Sequence, residues 1–244
     1  MHTSSTSTMP DEGTQVLSSH FDDLEQQHLS SNLGMWFFLV NEVMFFSGLI
    51  GAYFVYRTLS PEAFKLACHH MDWKVGFFNT LVLLTSSLTM AMAVRATQTR
   101  NRRGVVLNLI YTAVLGTAFL GIKASEYKTE IDHHLFPGAH FRVPGEDAEA
   151  LRAVSLGPDG QLDQAKYAEN LGHFQMMFVL YFFMTGVHAF HMIIGIAIVL
   201  IFAVLMQIKW FSGYGEAQTE ALGLYWHFVD VVWVFLYPLL YLIE

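Results

Sequence analysis

The sequence predicts an all-α integral membrane protein, a bundle of five transmembrane helices. Of its 244 residues, 53% are hydrophobic and only 14% are charged. The apolar residues are gathered into blocks of about 20 residues or more, which is the length of helix that crosses a hydrocarbon core. A soluble domain of this size would interrupt such blocks with polar residues at the helix or strand period.

The five predicted helices follow the apolar blocks in order. The fourth block is too long for one ordinary span and too short for two spans with a turn between them. We therefore interpret it as one long, tilted helix that projects beyond the bilayer. The predicted bounds are about Leu33 to Tyr56, Val75 to Val94, Gly104 to Ala124, Leu171 to Ile208 and Leu222 to Ile243.

The charges of the links between helices predict the orientation. Arg95, Arg100, Arg102 and Arg103 lie between the second and third helices. The positive-inside rule places this link in the cytoplasm. By alternation the N-terminus is expected to be cytoplasmic and the C-terminus outside, which is the periplasmic side for a bacterial inner membrane.

The segments outside the spans differ from them in composition. Residues 1–31 are expected to be flexible or to lie at the membrane interface, before a membrane domain over residues 32–244. Within that domain, residues 129–169 are acidic and rich in turn signals, and we interpret them as an extramembrane segment on the outer side. The net charge of −8 and the lack of a basic stripe argue against a nucleic-acid partner. One cysteine, Cys68, permits no intrachain disulfide and is interpreted as a free loop thiol.

Polar residues inside the spans are the candidate functional residues. A carboxylate near the centre of a membrane helix costs about 2.5 to 3.5 kcal/mol, so it should face protein and be paired or protonated. Glu42, beside Asn41, is either a proton-linked or subunit-contacting carboxylate, or a neutral acid bonded to a neighbouring helix. Glu126 lies at the end of the third predicted helix, at the outer membrane–water interface, where a charged side chain costs little free energy.

Two pairs of residues share the i,i+3 spacing that places side chains on one helical face. His227 and Asp230 form one pair, for which an interhelical polar cluster is simpler than a catalytic role. His188 and His191 form the other, which is either a metal or haem ligand pair or a pair of structural histidines. The expected polar cluster comprises Asn41, Glu42, Glu126, His188, His191, His227 and Asp230, with no catalytic, cofactor or metal ligand assigned.

These blocks resemble subunit III of the haem-copper respiratory oxidases. The first helix, WFFLVNEVMFFSGLIGAYF, is similar to the family helix that carries a membrane glutamate. Phe78-Asn79-Thr80 with LLTSSLT, and then GIKASEY, TGVHAFHMIIG and WHFVDVVWVFLY, follow in the family order. The departures are Asn41 where the family usually has Ser, Ala189 where Gly is common, a longer acidic outer segment, and the absence of the two N-terminal helices of the seven-helix form.

The resemblance implies the short, five-helix form in a bacterial plasma membrane, and an accessory role without a catalytic centre. In this family the haems and copper lie in other subunits, and subunit III packs beside subunit I, near subunit II and a fourth subunit. It stabilises subunit I, supports proton uptake and holds phospholipid, while cytochrome c or quinol donates electrons to the complex. Glu42, His227 and Asp230 would then serve helix packing and the contact with subunit I.

Two alternatives remain open from the sequence. One is the related accessory membrane protein of nitric oxide reductase, which shares the five-helix pattern. The other, from a different class, is a membrane cytochrome that uses His188 and His227 as haem ligands. The co-purifying subunits and a haem absorption spectrum distinguish these functions.

Overall fold

The fold is known from a computed structural model that describes residues 24–138, 141–208 and 216–242. Within these residues the chain forms seven α-helices. Their bounds are α1 Leu24–Leu59, α2 Pro61–Cys68, α3 Trp73–Gln98, α4 Arg102–Asp132, α5 Gly145–Val154, α6 Gln164–Gln207 and α7 Glu216–Tyr241.

Five of the helices are long and apolar enough to cross a membrane, namely α1, α3, α4, α6 and α7. The predicted helical bundle with five candidate spans is therefore confirmed, and the chain is a multi-pass membrane protein. The fourth predicted span is indeed a single helix, since α6 runs unbroken for 44 residues. Residues 1–23 of the predicted N-terminal segment lie outside the described residues, and from Leu24 onward the backbone is helical.

Side-chain caps explain where several helices begin. The carboxylate of Asp72 accepts a hydrogen bond from the Lys74 N–H at 2.9 Å, at the start of α3. Asp163 caps α6 in the same way, eight residues before the predicted start at Leu171. Such caps satisfy backbone donors that have no partner inside the helix. Helix α4 runs to Asp132 rather than ending near Ala124, so its last two turns extend the predicted span.

The core of the bundle lies between α3, α4, α6 and α7, and α1 packs on α6 and α7. Two tryptophans of α7 fill it, and both are fully buried. The indole N–H of Trp226 donates to Ser86 Oγ at 3.2 Å, and that of Trp233 donates to Thr80 Oγ1 at 3.1 Å. These bonds tie α7 to α3 and leave neither indole N–H unsatisfied in an apolar interior.

Two short helices, α2 and α5, pack together against the N-terminal part of α6, where this helix extends beyond its predicted start. His70, which follows α2, contacts Asp147 of α5, with 2.6 Å between Nε2 and Oδ2. The interpretation of Cys68 as a loop thiol is wrong, because Cys68 is buried at the end of α2. Its Sγ lies 3.8 Å from the Tyr53 hydroxyl. Burial raises the pKa of this free thiol.

Candidate functional site

Glu42 and His191 form a contact between α1 and α6. The distance from Glu42 Oε2 to His191 Nε2 is 3.2 Å, and both side chains are largely buried. The Nδ1–H of His191 donates to the Val187 carbonyl at 2.9 Å, which leaves Nε2 turned toward the carboxylate. The Tyr225 hydroxyl donates to the His191 carbonyl at 2.9 Å, so α7 joins the same contact.

Asn41, the neighbour of Glu42, points away from this contact. Its side chain is exposed on the outer surface of the bundle. The structure therefore separates two residues that the sequence placed in one cluster, because successive residues on a helix point about 100° apart.

His227 and Asp230 lie on α7 beside the same serine of α3. The distance from His227 Nδ1 to Ser87 Oγ is 2.7 Å, and His227 is half-buried. Asp230 is only 3% exposed, and Ser87 is the polar side chain beside its carboxylate. Both Asp230 oxygens lie outside hydrogen-bonding geometry to the described residues. The pair thus faces α3, as an interhelical position requires.

His188 occupies an aromatic layer of the core. Its ring centroid is 5.6 Å from Phe119 of α4 and 5.2 Å from Trp233 of α7. Neither ring nitrogen has a hydrogen-bond partner among the described residues. His188 and His191 therefore have different surroundings despite their spacing, since one packs among rings and the other meets Glu42. Within residues that the structure describes, no group of three or more His, Cys, Asp or Glu side chains could hold a metal ion.

Glu126 belongs to a separate buried group around Lys123, which we term the lysine cluster: Lys123, Glu126, Tyr181 and Tyr241. The Lys123 Nζ lies 3.2 Å from Glu126 Oε1 and donates to the Tyr241 hydroxyl at 2.7 Å. Both tyrosine hydroxyls donate to the same carboxylate oxygen, the Tyr181 hydroxyl at 2.6 Å. The cluster therefore connects α4, α6 and α7.

Aromatic rings enclose the ammonium group of Lys123. Its Nζ lies 5.0 Å from the ring centroid of Tyr181 and 5.2 Å from that of Trp233. The rings of Tyr127 and Tyr241 are each 5.4 Å away. Aromatic faces attract a cation within about 6 Å, and more strongly where water is excluded. The lysine is 4% exposed, so ion pair, hydroxyls and rings together replace its hydration.

The lysine cluster and the Glu42–His191 contact are closed arrangements. Their charged and polar atoms point at each other across helix boundaries, and the geometry can fasten helices together. The described polar residues therefore form at least three separate groups, one at Lys123, one at Glu42 and one at Asp230.

The comparisons with known proteins decide the family. The family model for cytochrome c oxidase subunit III matches residues 18–133 and 172–244. The chain belongs to the cytochrome c oxidase subunit III family. The stretch between the two matched segments, residues 134–171, covers most of the acidic outer segment.

Known relatives of this chain carry the name cytochrome c oxidase subunit 3. The one from Papio hamadryas is 30% identical over 220 residues, which is 87% of this chain and 69% of the relative. The one from Equus caballus is 31% identical over 216 residues, or 85% of this chain and 67% of the relative. The bacterial one from Alkalihalophilus pseudofirmus is 25% identical over 226 residues, and 93% of each chain is covered.

In this chain, Lys123 is the central residue of the lysine cluster, and the sequence did not predict it or its tyrosine partners. Lys123 lies in the run GIKASEY, one residue before the predicted end of the helix. A lysine at that position is expected to lie at the membrane interface. The helix continues to Asp132, about 14 Å further along its axis at 1.5 Å per residue, so Lys123 lies deeper than expected. The signal that was present is the i,i+3 spacing of Lys123 and Glu126.

Proposed function

We propose that this chain is an accessory, non-redox subunit of a haem-copper terminal oxidase, which packs beside the catalytic subunit I and stabilises it. The observation that carries the proposal is the subunit III family match over two segments, which include four of the candidate spans in full and α6 from residue 172 onward. The Glu42–His191 contact and the lysine cluster, which join helices, support a structural role. Haem, copper and the oxygen chemistry would belong to the partner subunits.

The orientation proposed from the sequence places the N-terminus in the cytoplasm of a bacterial cell and the C-terminus in the periplasm. The four arginines at the end of α3, in the link and at the start of α4 support it through the positive-inside rule. The plasma membrane is the proposed location, and a bacterial relative of nearly equal length supports this choice. Helices α2 and α5 would then lie on the periplasmic side.

Glu42 is the residue we propose for a proton-linked role. Its carboxylate meets an imidazole at 3.2 Å, and histidine is the side chain whose ordinary pKa lies nearest neutrality. Such a pair can exchange a proton without exposing a bare charge to hydrocarbon. His227 and Asp230 are proposed to hold α7 against α3, and phospholipid is proposed to cover the exposed apolar faces.

The complex in which the chain resides tests the proposed function. The chain would be tagged, extracted from the membrane in mild detergent, and its co-purifying subunits identified by mass spectrometry. Subunits I and II of a cytochrome c or quinol oxidase are expected, and the isolated chain should show no haem absorbance. Co-purification with a nitric oxide reductase, or a stoichiometric haem in the chain itself, would overturn the proposal.

The stabilising role has its own test at Asp230. Asp230→Ala should shorten the working life of the oxidase during turnover and leave its haem spectrum unchanged, because the variant weakens α7 packing rather than any redox centre. Asp132→Ala, which removes an exposed carboxylate at the end of α4, is the control. Equal lifetimes for both variants and the unmodified complex would count against this role.

A further inference from the structure

One end of the α3–α4 hairpin carries a concentrated positive charge. Four arginines occur within nine residues, and no Asp or Glu lies among them. The whole chain has a net charge of −8, so the charge of this turn is opposite to that of the protein. We term the group the arginine turn, and it comprises Arg95, Arg100, Arg102 and Arg103.

Backbone hydrogen bonds hold the arginine turn in one shape. The Asn101 N–H donates to the Ala96 carbonyl at 2.9 Å, and the Arg100 N–H donates to the Thr97 carbonyl at 2.9 Å. This pair of bonds is the Schellman ending of a helix, in which the residue with positive φ is usually glycine. Here that residue is Arg100, with a φ of 55°. Asn101 then caps α4, so two helix ends meet at this short link.

The charges of three of these arginines are not compensated by a carboxylate of the residues that the structure describes. Among the described residues, Arg95, Arg102 and Arg103 make no ion pair with a carboxylate. Arg102 is half-buried, and its buried Nε has no acceptor there. The nearby carboxylate of Glu220 instead accepts a long hydrogen bond from Gln98, at 3.4 Å. A buried donor without an acceptor costs free energy, which a bound anion would recover.

Exposed apolar side chains begin within about one helical turn of the arginines. Met92 of α3 is 50% exposed, and Leu107 of α4 is 54% exposed. They lie three and four residues from Arg95 and Arg103, or about 5 to 6 Å along the helices. A ligand for this surface therefore has an anionic group at the turn and an apolar part directly beside it.

We propose that the arginine turn binds the phosphate headgroup of an anionic phospholipid, whose acyl chains lie along α3 and α4. The guanidinium fork suits phosphate because it can donate two parallel hydrogen bonds. Basic groups at the membrane surface attract anionic lipids in this way. The inference rests on the chain's being a membrane protein, so it stands even if the proposed oxidase complex is wrong.

Lipid retention by the intact complex tests the proposal. The complex would be reconstituted in nanodiscs of phosphatidylcholine containing phosphatidylglycerol, then released, and its bound lipids counted by native mass spectrometry. The unmodified complex should retain phosphatidylglycerol in preference to phosphatidylcholine. Arg102→Gln with Arg103→Gln should lower this preference about 25-fold, or about fivefold for each arginine, which corresponds to about 1 kcal/mol per basic residue at a lipid surface.

Three comparisons make the result decisive. Arg152→Gln removes an exposed arginine from α5, and it should leave retention unchanged. The single exposed variant Arg103→Gln serves if the double variant fails to assemble, and it should show the fivefold loss. Inorganic phosphate added to the nanodiscs should not displace the lipid. Equal retention of the two lipids, full retention by the arginine variants, or displacement by inorganic phosphate would each overturn the proposal.

Discussion

A lysine with 4% exposure is stable inside a membrane bundle only if nearby groups compensate its charge. At Lys123 the compensating groups come from three helices. Glu126 lies on the same helix, α4, and Tyr181 and Tyr241 contact the lysine from α6 and α7. Removing one partner of such a buried pair leaves the other charge buried and unpaired. The free-energy cost of that unpaired charge exceeds the stabilisation that the pair contributes.

Lys123→Met is therefore expected to destabilise the bundle by about 3 kcal/mol, because it leaves the Glu126 carboxylate without its cation. The measurement is the free energy of unfolding of the subunit in detergent, from a denaturant titration. Lys128→Met removes an exposed lysine from the same helix and should change little. The double variant Lys123→Met/Glu126→Gln should recover part of the loss, and equal effects of the two methionine variants would contradict the expectation.

Cys68 gives a pH-dependent prediction outside the membrane spans. Burial raises the pKa of its thiol, so at a given pH a smaller fraction is the reactive thiolate. Alkylation by a maleimide should be at least tenfold slower than at an exposed cysteine, and its rate should keep rising to a higher pH. Glu62→Cys with Cys68→Ala provides the exposed cysteine on the same helix. Matching rates and pH profiles would refute the prediction.

At the scale of elements, close helix approach depends on particular glycines rather than on glycine content. A Cβ on Gly116 of α4 would lie 2.9 Å from the Trp226 ring, whereas a Cβ on Gly121 of the same helix would meet nothing within 4 Å. Gly195 of α6 faces Trp226 as well, with a corresponding distance of 3.1 Å. The indole is therefore held between glycines of two helices.

Gly116→Ala should lower the thermal stability of the subunit, because overpacking a filled core costs about 1 to 3 kcal/mol. Gly121→Ala should be neutral or slightly stabilising, since alanine favours a helix and has open space there. Thermal unfolding of both variants, followed by circular dichroism in detergent, gives the comparison. A loss at Gly121 as large as at Gly116 would mean that packing against Trp226 is not the cause.

The elements that sequence analysis recovered are those with a strong hydropathy signal. Apolar blocks identified all five long helices in order, and they identified α6 as one helix because no proline or charged break interrupts Phe174 to Ile208. Helices α2 and α5 were not predicted, since they have 8 and 10 residues and no apolar block of their own. Pro61, at the first turn of α2, was a usable start signal.

At the scale of the whole molecule, hydropathy gives the number of spans but not their rotation. The sequence indicated that Asp230 and Glu42 must face protein, and both side chains do. It did not indicate which side chains lie beside them, because Ser87 and His191 come from other helices and their register depends on packing. For the same reason Asn41 and Glu126 could not be separated from the others before the helices were placed.

The arrangement of the five spans predicts where the bundle opens most easily. Helix α1 is the least enclosed span. Only 11% of the residues in its apolar stretch are buried, against 61% of those in the apolar stretch of α7. Two polar contacts join it to α6 and α7, namely the Glu42–His191 contact and the bond from the Tyr53 hydroxyl to the Leu239 carbonyl at 2.9 Å. Glu42→Gln weakens the first of these, so it should speed amide hydrogen exchange in α1 several-fold and leave the α3–α4 hairpin unchanged. Exchange would be followed by mass spectrometry in nanodiscs, with Glu62→Gln on the surface of α2 as the control. Faster exchange spread evenly over all five spans would mean that Glu42 stabilises the bundle as one unit rather than docking α1.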